Sequence, residues 1–436
     1  MTRISSQKDN KEEITFVALL KACAKKKNLC KGTIIHADIV RKGLHEKSPC
    51  ISSGLIRMYA KCGSLLKAQD VHDALLVRSI MSWNALIVCF AQEGKFHESL
   101  HYLERVQNES LFPDVITFIF VLKACGSIGA IKKGRKIHYE VVWRGMLKKD
   151  IMLSTALVDM YAKCGVLGTA EKVHDDLCAR DLISWSALIA GYVRHAQGDD
   201  ALECFERMQS EGFFPDVVTS SCILKACAII RDIDKGKEIH DQIVRRGFQK
   251  NNVLLGNALV DMYAKCGALL EARHVIEELP IRNVECWSTL IAGYVQAERG
   301  QEALRCLEEV QNEGLSPDGI TFTCALRACG SIGAIDKGKK IHNEILTKTY
   351  LSENVMLGNA LVEMYAKCGL LSKAQEVLEV LPRRDVFSWS FIIGECARLG
   401  HVHKALYCFE KMEREGVDPD EVTFSCLLKA CGSTGM

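Results

Sequence analysis

The sequence repeats itself at a fixed interval of 102 residues, and any fold must absorb that interval as stacked copies of one unit. The string MYAKCG begins at Met58, Met160, Met262 and Met364. Four of the five tryptophans (Trp83, Trp185, Trp287 and Trp389) keep the same spacing. So do Pro113, Pro215, Pro317 and Pro419, the pair Pro280 and Pro382, and His36, His138, His240 and His342, each preceded by Ile. The unit divides into three related pieces of 36, 31 and 35 residues. The resulting register is 13–48, 49–79, 80–114, 115–150, 151–181, 182–216, 217–252, 253–283, 284–318, 319–354, 355–385 and 386–420. Residues 1–12 read as an N-terminal tail. A thirteenth piece opens at Glu421 and stops at Met436, mid-repeat, so an array cut short is the expectation.

Each piece reads as two helices. In 182–216, Trp185, Leu188, Ile189 and Tyr192 fall at i, i+3, i+4 and i+7, and Ala201, Cys204, Phe205 and Met208 repeat the pattern. Gly212 suits a left-handed C-terminal cap, and Pro215 keeps the helix from continuing. Ser110 stands where later copies have Gly212, Gly314 and Gly416, so the first such cap should be weaker. No alternating strand pattern competes, and only seven prolines interrupt the chain. One hairpin cannot bury its apolar stripe. Stacked hairpins can, and they leave a concave surface as the default binding site.

Composition narrows the classes further. At 436 residues the chain is longer than one core usually serves. Lys+Arg 56 against Asp+Glu 54 leaves a net charge of +2, weak evidence for a nucleic-acid partner, for which the positive charge would have to be concentrated on one surface. The 21 cysteines include no C-x-x-C, the commonest zinc and redox signature. Twelve recur in register: Cys23, Cys125, Cys227, Cys329 and Cys431; Cys62, Cys164, Cys266 and Cys368; Cys204, Cys306 and Cys408. They read as small buried hydrophobes in a reducing compartment. No apolar run approaches a membrane span, and Met1 to Glu13 makes a poor transit peptide.

Two enzyme motifs fail on context. His97-Glu98-Ser99-Leu100-His101 is H-E-x-x-H, yet the same slot in sister repeats (Asp199–Glu203, Gln301–Arg305, His403–Tyr407) does not preserve it. His342-Asn343-Glu344 gives half of a deaminase signature, whose P-C-x-x-C partner is missing. The sequence implies no catalytic residue, cofactor, metal or small-molecule substrate.

The three pieces resemble the P, L and S motifs of the PLS class of pentatricopeptide repeat proteins, without the C-terminal deaminase (DYW) domain. The P-type piece is DLISWSALIAGYV…ALECFERMQSEGFFPD, the L-type VITFIFVLKACGSIGAIKKGRKIH, and the S-type GNALVDMYAKCG. The resemblance spans 13–436 and implies an all-α fold, a right-handed superhelical α-solenoid of stacked helix-turn-helix repeats. It also implies single-stranded RNA binding, one base per repeat. In the family, a motif's fifth and last residues choose the base. Carried over, Asn84 with Asp114 implies U. Thr155 with Asp181, Ser186 with Asp216, Ser288 with Asp318, and Ser390 with Asp420 each imply G. Asn257 with Asn283 implies a pyrimidine and Asn359 with Asp385 implies U. Ser221 with Asn252 and Thr323 with Asn354 read as A, although L-type pieces follow the rule poorly. Val17, Ile119 and Ser53–Ser79 give no assignment. From residue 80 the site is U-n-G-G-A-Y-G-A-U-G, 5′ to 3′.

The resemblance also sets an apolar second residue against each base. Met81, Ile183, Phe387, Met152, Leu254 and Met356 fit, and Glu285 departs. It implicates Lys61, Lys163, Lys265, Lys367, Arg194 and Arg398 in phosphate contact. For the base-selecting residues, helix capping is the competing reading, since Asp114, Asp216, Asp318 and Asp420 follow Pro and Ser186 or Thr155 could cap. A solvated face is the lesser alternative for the MYAKCG lysines. The implied setting is mitochondrion or plastid, in RNA processing, editing, stability or translation, with processing or editing enzymes acting in trans. The alternative is a tetratricopeptide-like scaffold for protein partners, which the 36/31/35 alternation disfavours against that family's 34-residue period.

Overall fold

The computed structural model describes residues 2–109, 111–147, 150–177, 179–247, 252–347 and 354–433, with side chains from residue 12 to residue 432. The expectation of a weaker cap at Ser110 lies outside the described residues. All regular structure among the described residues is helical, in 26 helices from Thr2–Lys26 to Glu421–Ser433. The chain forms two compact units, residues 1–219 and 220–436.

Each unit repeats the same construction. In the first, the pairs Val115–Ile128 with Ile131–Trp143, Ile151–Lys163 with Leu167–Asp175, and Leu182–Arg194 with Gly198–Ser210 are antiparallel hairpins. The first helices of successive hairpins pack side by side, Val115–Ile128 on Ile151–Lys163 and that on Leu182–Arg194. In the second, Val253–Lys265, Val284–Gln296, Gly319–Ile332, Val355–Lys367 and Val386–Arg398 are the first helices, each packed on the next.

The apolar stripes form the core, as their spacing requires. Trp185, Leu188, Ile189, Ala201, Phe205 and Met208 are at most 1% exposed. Gly212, Gly314 and Gly416 take φ of 85°, 72° and 72°, the left-handed caps expected of them. The first helix starts at Thr2, because residues 2–12 contain neither Gly nor Pro to break it.

The cysteines sort by series. Cys23, Cys125, Cys227 and Cys329 are buried, as are Cys204, Cys306 and Cys408, while Cys431 and the MYAKCG cysteines are half-buried. Each MYAKCG thiol faces the carbonyl of its buried partner, as Cys164 Sγ does Cys125 O at 3.7 Å. Burial pushes the Cys125, Cys204 and Cys329 thiols up to about 12, which keeps them protonated and inert. The recurrent histidines have one role throughout. His36, His138, His240 and His342 each place Nδ1 2.9 Å from the hydroxyl of the MYAKCG tyrosine, Tyr59, Tyr161, Tyr263 or Tyr365.

Candidate nucleic-acid interface

A first helix buries most of its surface between neighbours and keeps one narrow exposed stripe. On Val115–Ile128 that stripe is Ile116, half-buried Phe120, Lys123 and Ser127, at i, i+4, i+7 and i+11. On Ile151–Lys163 it runs from exposed Met152 through half-buried Asp159 and Lys163. Most stripes open on an apolar residue, Glu285 being a departure. Met81, Met152, Ile183, Leu254, Met356 and Phe387 are between 42% and 69% exposed, a costly placement for large apolar groups with nothing to cover them. The equivalent residues of the 36-residue pieces, Ile14, Ile116, Val218, Ile320 and Val422, are exposed in the same way. Sequence reading passed over those five, although they share the 102-residue period.

The last residue of each described pair caps the following helix. Asp114, Asp216, Asp318 and Asp420 accept from the backbone N–H three residues on, each at 2.8 Å. Asp181 and Asp385 form capping boxes with Ser184 and Ser388. Asn252, Asn283 and Asn354 cap through Oδ1. Capping and base reading are compatible at the aspartates, because these caps use only Oδ1. Ser186 and Thr155 do not cap. Ser186 Oγ lies 2.6 Å from the Leu182 carbonyl inside its own helix.

Several fifth and last residues are brought together. Asn359 Nδ2 donates to Asp385 Oδ1 and Oδ2 at 3.2 and 3.1 Å, and Asn283 Nδ2 to Asn257 Oδ1 at 3.1 Å. Ser390 Oγ–H points at Asp420 Oδ1 at 3.4 Å. Three pairs share a relay that sequence reading missed. Thr219 Oγ1–H donates to Asp216 Oδ1 at 2.8 Å and meets Ser186 Oγ at 2.7 Å. Thr321 links Asp318 to Ser288 and Thr423 links Asp420 to Ser390 in the same way. The threonines hold the same 102-residue period, which was the signal available. The Thr423 amide and hydroxyl hold the Asp420 carboxyl below its ordinary range.

Other pairs are not joined. Among the described residues no hydrogen bond links Asn84 to Asp114, Thr155 to Asp181, Ser221 to Asn252 or Thr323 to Asn354. Asn84 Oδ1, Thr117 Oγ1, Thr155 Oγ1 and Asn359 Oδ1 are buried acceptors left without a protein partner. Such atoms are costly until something donates to them. Glu285, the apolar-position departure, accepts from Asn257 Nδ2 and so occupies part of that pair.

The cations are unequal. Lys163, Lys265 and Lys367 are tied to Asp159, Asp261 and Glu363 one turn earlier, at 2.7, 2.9 and 2.7 Å, and Arg398 pairs with Glu395 at 2.7 Å. Lys61 and Arg194 are exposed with no carboxylate in ion-pair range among the described residues. A second cation series, Lys21, Lys123, Lys225, Arg327 and Lys429, lies on the stripes of the 36-residue pieces and was also missed. In the second unit, Phe387, Ser390, Phe391, Arg398, Asp420 and Lys429 line one cavity of about 590 Å³, which joins an apolar floor, a polar pair and two cations. The H-E-x-x-H residues His97, Glu98 and His101 are exposed, and among the described residues no cluster of three or more His, Cys, Asp or Glu is arranged to hold a metal.

Stacked hairpins that repeat an exposed apolar side chain and, in several copies, a joined polar pair define a modular helical-repeat protein. The chain belongs to the pentatricopeptide repeat family. The PPR repeat family model matches 180–229, 282–331 and 384–433, the pentatricopeptide repeat domain model 68–127, and the PPR repeat model 257–284 and 359–386. A chloroplastic pentatricopeptide repeat-containing protein of Arabidopsis thaliana is 34% identical over 420 residues, 96% of this chain and 67% of that one. A mitochondrial one from the same plant is 30% identical, covering 98% of this chain and 61% of its own length. Another chloroplastic one is 33% identical over 97% of this chain and 48% of itself, so the chain spans about half to two thirds of these relatives. The maize pentatricopeptide repeat protein PPR10 superposes with a TM-score of 0.65 at 20% identity, over 97% of this chain and 66% of PPR10. PPR10 in complex with an 18-nucleotide psaJ RNA element gives 0.60 at 16% identity, over 96% and 71%.

Proposed function

We propose that this chain is a PLS-class, sequence-specific adaptor for single-stranded RNA, each motif addressing one base through its fifth and last residues. The observation that carries the reading is the recurrent stripe: an exposed apolar residue, a polar pair within reach of it, and a cation beyond. An unstacked base needs an apolar surface for its face and hydrogen-bonding groups for its edge, with positive charge for its phosphate. The RNA held by the structurally similar PPR10 supports the same reading. The site from residue 80 onward is U-n-G-G-A-Y-G-A-U-G, with its 5′ end toward the N-terminus. The protein holds this site extended and masks it or delivers it to processing or editing enzymes, in mitochondrion or plastid, as the names of its relatives support.

Changing Ser186→Asn beside Asp216 tests the pairing. The preference at that position should move from G toward U, by ~0.5–1.5 kcal/mol for one hydrogen bond, with other positions unmoved. Equal weakening on every RNA would instead show an effect on the fold and would remove Ser186 from base selection.

A further inference from the structure

The first two hairpins carry a surplus of charge and no base-selecting pair. Val17 stands at the fifth position of the first motif. Ser53 holds the fifth position of the second and donates its hydroxyl to the Cys50 carbonyl at 3.1 Å. Ser48 and Ser79, the last residues, cap the helices that follow them. Neither hairpin can offer a base the paired donors and acceptors found at Asn359–Asp385 or Ser390–Asp420.

The charge differs from every later copy at the same stations. Counted from the second residue of its motif, the first stripe carries Lys21 at i+7 and Lys25 at i+11; on the next helix the same places are Arg57 and Lys61. All four are exposed, and among the described residues no carboxylate lies in ion-pair range of them. The next copy has Lys123, Ser127, Asp159 and Lys163, and the fourth has Arg327, Ser331, Glu363 and Lys367. In that fourth copy Glu363 sits 3.4 Å from Arg327 and 2.7 Å from Lys367, so one acid is shared between two cations. Thr2–Lys26 and Pro49–Lys61 pack in the same arrangement, with Leu20 Cδ1 3.2 Å from where a Cβ on Gly54 would stand. The N-terminal copy therefore gathers four positive charges where the fourth carries a net one. Crowded cations without a counterion repel one another, and the group that relieves them is an anion.

We infer that residues 13–79 form a sequence-independent phosphodiester clamp, in which Lys21, Lys25, Arg57 and Lys61 hold the backbone of the two nucleotides 5′ of the base-read site. This rests on the single-stranded RNA reading above. The clamp adds affinity without adding specificity, and fixes where the base register begins.

The test uses the full chain and four RNAs: UAGGACGAUG alone, and the same RNA extended at its 5′ end by AA, by CC or by two abasic ribose-phosphates. The extensions should tighten binding on the order of tenfold at 50 mM salt and steepen the salt dependence by about 0.7 per added phosphate contact. All three extensions should do so equally. The double variant Arg57→Asp, Lys25→Ser installs the residues of the second copy, which that copy's helices already accommodate. It should abolish the gain while leaving base preference in UAGGACGAUG intact. A decamer that binds but gains nothing on extension overturns the clamp, and so does a gain that depends on base identity or survives in the double variant. Failure of the decamer itself overturns the RNA reading instead.

Discussion

Thr219 shows how much of this surface depends on one hydroxyl. Its proton goes to Asp216 Oδ1 and its oxygen meets Ser186 Oγ, so it fixes the spacing of two residues that never touch directly. Thr219→Val keeps the shape and the backbone cap but removes the link. Discrimination at the Ser186 position should fall by ~0.5–1.5 kcal/mol in competition binding against G, A and U at that base, with the other positions unchanged. Unaltered discrimination would reduce the relay to a packing feature. The cations admit a similar comparison. Lys163 is already offset by Asp159, while Lys123 on the neighbouring helix has no such partner among the described residues. Lys123→Ala should flatten the salt dependence of RNA binding more than Lys163→Ala does; the reverse order would restore the MYAKCG lysines as the principal phosphate contacts.

Between helices, close approach sets the spacing of the stack. A Cβ on Gly191 would stand 2.5 Å from Ala162 Cβ and 3.2 Å from its Cα, so the helices Ile151–Lys163 and Leu182–Arg194 meet through a missing side chain. Gly191→Ala should cost ~1–3 kcal/mol by forcing the backbones apart. Gly168 has nothing within 4 Å and lies within the helix Leu167–Asp175, so Gly168→Ala should stabilise by ~0.4–1 kcal/mol. Thermal unfolding of the two variants separates the effects. Helix positions, core stripes and glycine caps were legible in the sequence because periodicity and steric exclusion fix them locally. The acid between the cations was not. Glu363 reads as the i+4 partner of Lys367, as Asp159 does of Lys163, and only the structure places it against Arg327 on the preceding hairpin as well. The relay threonines escaped for a related reason. Their hydroxyl partner lies 33 residues away on the preceding hairpin, where no pattern within one helix can point.

For the chain as a whole, repetition multiplies small effects. Burial lowers the pKa of His36, His72, His138, His174, His240 and His342 from the ordinary 6.5. A lowered folded-state pKa means the unfolded chain takes up protons first, so stability is fully present above about pH 6.5 and is lost as pH falls below it. Urea midpoints should therefore drop between pH 7.5 and 5. A His342→Gln variant should lose part of that slope, and an unchanged slope would clear the His342–Tyr365 contact of responsibility. The polar pairs and stripes that repeat through both units also make the RNA reading a claim about order as well as composition. Its direct test is binding of the purified chain to UAGGACGAUG, to a base-scrambled decamer and to the matching DNA at 50 and 200 mM salt. Tight binding to the first RNA alone, weakening with salt, is the expected result; equal affinity for the scrambled decamer would contradict the base pairings, and no binding by the folded protein would contradict the RNA-binding function.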